Sequence, residues 1–262
     1  MTVHAATQTT SEHLPPVVNN ITLDHPWTWL AKGWQDLKAA PKFSLAYGAV
    51  FFFISSLLTA GLFYESLFFI IPPLTAGFFL VAPMLGIGLY QISKTLEQGK
   101  TVEYCQALIA WRKNETQLAA MSLVLLMVVL VWMLAALLIF ALLYSNPVPT
   151  WENFVPVVFL SGDNWAFVMI GTIVGGLIAA FTFAISVVTV PMLMDRQVNV
   201  VTAMRTSLET VRRNWRAMAL WAGLIIMFVG IGIATYFVGL IVTMPLVGHA
   251  TWHAYRDLVP EA

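Results

Sequence analysis

Two uninterrupted apolar stretches constrain this chain more than any other feature: Met121 to Tyr144 and Ala166 to Met194. Each is longer than the roughly 20 residues that an α-helix needs to cross the ~30 Å hydrocarbon core of a bilayer. Only 10% of the residues are charged and the mean hydropathy is +0.80, whereas soluble proteins carry about 25% charged residues. The sequence therefore predicts an all-α membrane protein.

Turn signals divide the apolar part of the chain into six predicted transmembrane helices, arranged as three hairpins. Tyr64–Ser66 leaves room only for a tight turn between the first two spans. The last apolar run, 216–257, holds 42 residues, which as one helix would be about twice as long as the membrane is thick. The cluster from Gly230 to Tyr236 offers a turn within it. The predicted spans are residues 43–63, 67–92, 118–144, 166–194, 216–233 and 236–255.

An amphipathic segment precedes each predicted hairpin. These segments lie near residues 26–40, 101–114 and 198–214, and each is too short and too polar to span a membrane. Helices of this kind lie in the membrane interface, where tryptophan is enriched. The sequence therefore predicts three interfacial helices. Their predicted anchors are Trp27, Trp34, Trp111 and Trp215.

The third amphipathic segment has the clearest helical pattern. Its apolar residues recur at intervals of three or four, and its charged residues lie off that stripe. Glu209 and Arg213 stand four residues apart, which suits an ion pair on a helix. The apolar stripe is Val198, Val201, Met204, Leu208, Val211 and Trp215, and the charged residues are Arg205, Glu209, Arg212 and Arg213.

The positions of the charges predict the topology. None of the 13 Lys and Arg residues lies in the Tyr64–Ser66 turn or in the loop Ser145–Trp165. The positive-inside rule therefore places both termini in the cytoplasm. The net charge is zero, which argues against a nucleic-acid binder. Residues 1–24 contain no Lys or Arg and are predicted to form a disordered cytoplasmic tail, followed by a single transmembrane domain, 25–262.

Proline marks the cytoplasmic ends of the second, fourth and sixth spans, at Pro83, Pro191 and Pro245. Their neighbours and the order of elements around them also recur, so an internal repeat of three units is predicted. Because proline removes a backbone hydrogen bond, each of these helices is expected to kink. Pro72 and Pro73 are expected to break the second span near its outer end, although proline is also simply tolerated in membrane helices.

His249 and His253 are the only candidates for binding a cofactor. They are four residues apart and so share one helical face, which suits a shared metal or an axial haem ligand. The single cysteine, Cys105, excludes a cysteine-based metal cluster. The alternatives are an interfacial anchor of His, Trp, Tyr and Arg, or a hydrogen-bonded packing role. We expect no metal, haem or other cofactor.

Gly171, Gly175 and Ala179 form a stripe of small residues on the fourth span. Such a stripe lets another helix approach closely. Packing within the bundle is the first interpretation, and dimerisation is the alternative.

The stretches WLAKGWQDLKAAPKFSLAYG, LYQISKTLEQGK, PMLMDR and PLVGHATWHAYRDL resemble a family of bacterial integral membrane proteins filed as a domain of unknown function. Some members of that family are labelled as cytochrome c oxidase subunits. The resemblance extends over nearly all of the chain after Asp24. It implies a bacterial inner-membrane location and no established activity, so it assigns no catalytic residue.

The chain is not expected to be an enzyme. It has no GxxxxGK[ST], GxGxxG, HExxH or GxSxG motif, and no charged residue near the middle of a predicted span, where ion-coupled carriers usually need one. The functional hypothesis is a non-catalytic accessory or scaffold protein that contacts lipids and a membrane complex, with a respiratory oxidase as the complex that the family labels indicate. The alternative is a channel or carrier for a neutral or apolar solute, using Pro72, Pro73 and the glycine-rich fourth span.

Overall fold

The computed structural model describes residues 18–103, 106–107, 109–146, 150 and 152–260. Within those residues the chain forms ten α-helices and no strand. The helices are α1 (His25–Ala39), α2 (Pro41–Tyr64), α3 (Ile71–Leu85), α4 (Ile87–Glu97), α5 (Glu115–Leu143), α6 (Trp165–Ser186), α7 (Thr189–Asp195), α8 (Val200–Arg213), α9 (Trp215–Ala234) and α10 (Leu240–Leu258). Short 3₁₀ helices cover Phe68–Ile70 and Ala110–Asn114, and a π-helical turn covers Pro156–Leu160.

Five stretches of the described residues are long and apolar enough to cross a membrane. They are Pro41–Tyr64, Ile71–Glu97, Ala110–Leu143, Trp165–Asp195 and Trp215–Ala234. The prediction of a helical membrane protein is therefore confirmed, but the sixth predicted span is not among these stretches. It corresponds to α10, whose second half contains His249, His253, Arg256 and Asp257.

The last apolar run forms two helices, because the chain turns between α9 and α10. Tyr236 and Phe237 adopt positive φ angles of 53° and 68°, which reverse the chain direction. The Thr235 hydroxyl lies 3.1 Å from the Ile231 carbonyl oxygen and accepts a 2.9 Å hydrogen bond from the Gly239 N–H. The turn therefore lies a few residues beyond the glycines that indicated it.

Helix α10 is the centre of one half of the molecule. It packs against α1, α2, α4 and α9, and most of its side chains are buried. Glycines allow the closest crossings: a Cβ on Gly33 would lie 2.7 Å from the Ala250 backbone nitrogen, and one on Gly48 would collide with the backbone of Ile241. Because neighbouring helices shield most of α10, it can carry polar residues that a lipid-facing helix could not.

The other half of the molecule consists of α3, α5 and α6, which pack against one another. Trp132 of α5 donates a 2.9 Å hydrogen bond to the Pro73 carbonyl at the start of α3. The pairs α5–α6 and α9–α10 pack side by side, as hairpins do. Helices α2 and α3, which the sequence predicted to form the first hairpin, do not pack side by side in this way. They touch at a few points, such as Phe51 and Phe78, whose ring centroids are 5.9 Å apart.

Side-chain hydroxyl groups bond to the backbone at two helix breaks, one from a neighbouring helix and one from the broken helix itself. The break between α6 and α7 lies just before Pro191, and Ser207 of α8 enters it. The Ser207 hydroxyl donates to the Ala184 carbonyl at 2.8 Å and accepts from the Val188 N–H at 3.2 Å. Near the break between α3 and α4, Tyr90 donates to the Pro83 carbonyl at 3.2 Å. Backbone groups at these two breaks are thus satisfied within the protein.

The other three prolines predicted to kink or break helices do not lie at helix breaks of this kind. Pro245 lies inside α10, close to its beginning, whereas the sequence pattern placed it near the other end of that helix. Pro72 and Pro73 occupy the first turn of α3, where a missing N–H costs nothing because the first helical N–H groups have no partner in any case. They begin a helix there, whereas the sequence suggested that they break one.

Of the three predicted amphipathic segments, the first and the third form α-helices and the second does not. The first is α1, which buries Pro26, Trp29, Leu30, Gly33 and Leu37. The second is not one continuous helix, since Thr101–Glu103 is irregular and Ala110–Asn114 is a 3₁₀ helix; Cys105 lies outside the described residues. The third is α8.

The last residues of the predicted tail are held by hydrogen bonds where the composition predicted a solvated segment. The Asn19 N–H donates to the Leu258 carbonyl at 2.9 Å. The Ile21 N–H donates to Asn214 Oδ1, and Asn214 Nδ2 donates to the Asn19 carbonyl, both at 2.9 Å. Residues near the two ends of the described chain therefore meet beside the beginning of α9. Residues 1–17 lie outside the described residues.

Candidate functional site

Charged side chains from separate parts of the chain collect at one end of the bundle. We call this region the polar end and define it by Lys94, Glu97, Asp195, Arg256 and Asp257. These residues stand at the C-terminal ends of α4, α7 and α10, so their positions follow from the shared direction of those three helices. All five belong to the sequence stretches that carry the family resemblance.

Asp195 joins three elements at the polar end. Its Oδ1 accepts a hydrogen bond of 2.5 Å from Lys94 Nζ, and its Oδ2 accepts one of 2.7 Å from the Tyr255 hydroxyl. Arg196 Nε and Arg256 lie 3.7 and 4.0 Å from the same oxygen. The side chains of Lys94 and Asp195 are largely buried. A buried carboxylate with this many donors holds α4, α7 and α10 together.

Glu97 and Asp257 make similar links between helices. Glu97 accepts from the Trp252 indole N–H and from Arg256 Nε, both at 3.1 Å. Asp257 accepts from the Trp29 indole N–H at 2.9 Å, which joins α10 to α1. In both cases a tryptophan and a carboxylate fix one helix against another.

His249 is fully buried where α2, α4 and α10 meet. The Ser44 hydroxyl of α2 lies 2.9 Å from its Nε2, and the Ser93 hydroxyl of α4 lies 2.8 Å from its Nδ1. A neutral imidazole has one donor and one acceptor nitrogen, and each hydroxyl can play the complementary role. Both ring nitrogens are therefore occupied by protein groups.

His253 points to a different helix. Its Nε2 lies 2.8 Å from Asp36 Oδ2 of α1, and both side chains are largely buried. The two histidines thus contact different partners although they are four residues apart. No group of three or more His, Cys, Asp or Glu side chains within the described residues is placed to hold a metal ion.

A polar cavity of about 230 Å³ opens at the polar end, lined by Lys94, Glu97, Gln98, Asp195, Trp252 and Arg256. Its charged groups already bond to one another. A second, more open groove of about 750 Å³ runs between the end of α3 and the beginning of α5, and it is lined by Met84, Trp111, Glu115, Thr116, Leu118, Ala119 and Ser122. Neither lies between the middle portions of α3, α6 and α10.

The stripe of small residues on α6 faces α5 in part. A Cβ on Gly175 would lie 3.0 Å from the Trp132 ring, and one on Gly171 would lie 4.0 Å from Ile139. Ala179 is exposed. Contact with α5 therefore uses the two glycines.

The four tryptophans predicted as interface anchors, Trp27, Trp34, Trp111 and Trp215, are all exposed. Other tryptophans have the opposite placement: Trp29, Trp221 and Trp252 are fully buried, and Trp29 stands edge-on to Trp221 with ring centroids 5.6 Å apart. Within α1, Trp27 and Trp34 flank the buried face, while Trp29 enters it.

Sequence reasoning missed Ser44, Ser93 and Asp36 as partners of the two histidines, and Asp195 as a centre of the polar end. Ser44 and Ser93 lie in stretches that resemble the family, which is the one signal that could have singled them out. A serine in an apolar helix has no spacing relation to a histidine 205 or 156 residues away.

Residues 70–195 match the family described as "Predicted integral membrane protein (DUF2189)". The resemblance predicted from the sequence is therefore confirmed for this segment, which includes α3 to α7. Neither the curated proteins nor the solved structures contain a match to this chain.

Proposed function

We propose that this chain is a non-catalytic accessory or scaffold protein of a bacterial inner membrane, acting through the lipid-facing and helix-packing surfaces of its bundle. The observation that carries the proposal is that polar residues in the stretches that resemble the family form hydrogen bonds between helices. Each of Asp195, Glu97, Asp257, His249 and His253 bonds to a residue of another helix.

Those bonds support a structural role for the polar residues. A catalytic site needs a nucleophile aligned with a base, or an acid and a base facing a free space. Here the carboxylates are paired with Lys94, Arg256 and tryptophan N–H groups, and the buried imidazole is paired with two serines. The hydrogen bonds and ion pairs of these groups hold helices together.

The outer surface of the bundle supports contact with lipid or with other membrane proteins. Along α5, the side chains of Leu123, Leu130 and Leu137 are exposed, and Ile173 and Leu177 are exposed along α6. Such a surface is stable only next to acyl chains or apolar helices. A scaffold uses surfaces of this kind. The oxidase label of some members of the family that the sequence resembles makes a respiratory complex the first partner to seek.

The proposal includes six membrane crossings with both termini in the cytoplasm. Helix α10 has 19 residues, a length of about 28 Å, and it returns alongside α9. Asn19 bonds to both Asn214 and Leu258, so the beginning of α9 and the end of α10 lie at one level. The cations Lys94, Arg196 and Arg256 also gather there, which agrees with the positive-inside rule.

The test is affinity purification in mild detergent, followed by mass spectrometry of proteins and lipids. We expect a reproducible membrane-protein partner or bound lipid, absent from a mock purification out of the same membranes. Proteoliposomes that contain the purified protein should show no solute flux across their membrane.

Recovery of the protein alone, together with solute flux in proteoliposomes, would overturn the scaffold proposal in favour of the channel or carrier. Glu97→Gln separates the two functions further, because Glu97 lines the polar cavity. A carrier that uses this cavity would change its flux in the variant, whereas a scaffold would keep its partners as long as the variant folds.

A further inference from the structure

Helix α8 packs into the protein mainly through small residues, and Met204 and Val211 beside them pack partly against the core. Its buried residues are Ala203, Thr206, Ser207 and Thr210. Thr206 and Thr210 donate to backbone carbonyls of their own helix at 2.9 and 2.7 Å, and Ser207 enters the break between α6 and α7. The buried face is therefore small, and its hydroxyls are satisfied within the protein.

The opposite face of α8 exposes large apolar residues. Val201 and Leu208 stand seven residues apart on the outer side of α8, and Trp215, the first residue of α9, follows just past its end. They are 54%, 50% and 62% exposed. A helix of a soluble protein would bury such residues and expose its threonines. The exposure of Val201 and Leu208 indicates that the outer face of α8 contacts an apolar environment.

Arginines border this apolar stripe. Arg205 and Arg212 lie four residues after Val201 and Leu208, and Arg216 stacks on the Trp215 ring at 5.3 Å. Residues 200–216 contain four arginines and one glutamate, giving a net charge of +3. Glu209 lies 3.1 Å from Arg212 and 2.5 Å from Arg213, and these hydrogen bonds hold the pKa of Glu209 below its usual value.

We propose that the outer face of α8 binds anionic phospholipid headgroups, with Val201, Leu208 and Trp215 in the acyl boundary and the arginines at the phosphates. This inference rests on the lipid contact in the proposed function, and adds the lipid class and the helix that selects it.

The position of α8 favours a lipid surface over a soluble partner. Trp215 and Arg216 begin α9, which is one of the candidate spans, so the apolar stripe continues directly into the membrane. An apolar stripe beside guanidinium groups matches the boundary between acyl chains and phosphates. An acidic protein would satisfy the arginines but would leave the apolar stripe in water.

The test measures the lipids that surround the full chain. The protein is reconstituted into vesicles of phosphatidylethanolamine and phosphatidylglycerol, extracted with its adjacent lipids by a styrene–maleic acid copolymer, and analysed for its lipid ratio against the bulk vesicle. We expect phosphatidylglycerol to be enriched, with the enrichment decreasing as ionic strength rises.

Two variants of α8 should move the enrichment in opposite directions. Arg205→Gln/Arg216→Gln should lower it by up to about fivefold per arginine at low ionic strength. Glu209→Gln should raise it, because Arg212 and Arg213 lose their nearest anion. The matched control is Lys38→Gln/Lys100→Gln, which removes two exposed cations elsewhere and should leave most of the enrichment intact.

Three results would overturn the inference: no enrichment in the wild type, equal losses in the α8 and control variants, or a decrease in Glu209→Gln. Thermal unfolding of each variant is measured alongside, so that only folded protein is compared. If lipids or partners still copurify with the protein while the α8 variants have no effect, the scaffold function survives and only the assignment to α8 fails.

Discussion

A buried imidazole between two serines shows how a single residue can join three helices. His249 lies between Ser44 and Ser93, and all three side chains are inaccessible to solvent. Removing one member of such a group leaves buried polar atoms without partners, which costs more than the net gain from the hydrogen bonds themselves. The same group replaced entirely by apolar side chains is nearly neutral.

A substitution series tests this structural role. His249→Ala should lower the free energy of unfolding by about 2–4 kcal/mol, because it leaves two buried hydroxyls unpaired and a cavity. The triple variant Ser44→Ala/Ser93→Ala/His249→Leu should recover most of that loss. Denaturant unfolding in detergent micelles, followed by circular dichroism, measures both values.

Two outcomes would contradict the structural role of His249. The first is a triple variant as unstable as His249→Ala. The second is a Soret band in the purified wild type that disappears in His249→Ala or His253→Ala, since this would assign the histidines to haem.

At the scale of helices, the closest crossing is that of α2 on α10. Gly48 sits where α2 touches the backbone of Ile241, so an added methyl group would meet main chain that cannot move aside as a side chain can. Gly61 lies in the same helix with nothing near it. The two glycines therefore form a matched pair for testing whether α2 depends on this contact.

Gly48→Ala should destabilise the protein by about 1–3 kcal/mol, because it forces α2 away from α10. Gly61→Ala should be neutral or slightly stabilising, since alanine favours helix and meets no neighbour there. Thermal unfolding in detergent compares the variants. Equal effects of the two substitutions would show that α2 does not pack against α10 at Gly48.

At the scale of the whole molecule, the end of α10 lies beside the beginning of α9 and the residues near the N-terminus of the described chain. Asn19 bridges Asn214 and Leu258, and Arg196 donates to the carbonyls of Val259 and Pro260 at 3.0 and 2.7 Å. This arrangement requires the last described residues to share a side with the beginning of α9. An even number of crossings follows if α10 passes through the membrane.

Reporter fusions at residues 65, 105, 155, 205 and 262 test the topology. We expect cytoplasmic reporters to be active at 105, 205 and 262, and periplasmic reporters to be active at 65 and 155. The reason is that the positive-inside rule places the Lys and Arg residues on the cytoplasmic side. An external C-terminus would leave five crossings and would contradict the bridge that Asn19 makes.

The class of the protein and the location of most of its helices follow from local sequence patterns. Runs such as Met121 to Tyr144 are longer than a membrane span and contain no charged residue. Such a helix is unfavourable in water, so composition alone predicts that it enters the bilayer. The first turns of α1 and α2, which contain Pro26 and Pro41, are equally local features, because proline lacks an N–H and the first N–H groups of a helix have no partner.

Which faces are buried and which polar residues meet depends on how the helices assemble. Burial of Trp29 rather than Trp34, the outward-facing apolar stripe of α8, and the joining of His249 to Ser44 and Ser93 all depend on neighbours distant in sequence. In lipid, hydropathy distinguishes membrane from water, and it does not distinguish lipid from a neighbouring helix. Close backbone contacts and hydrogen-bond partners make that second choice, and they exist only once the helices have assembled.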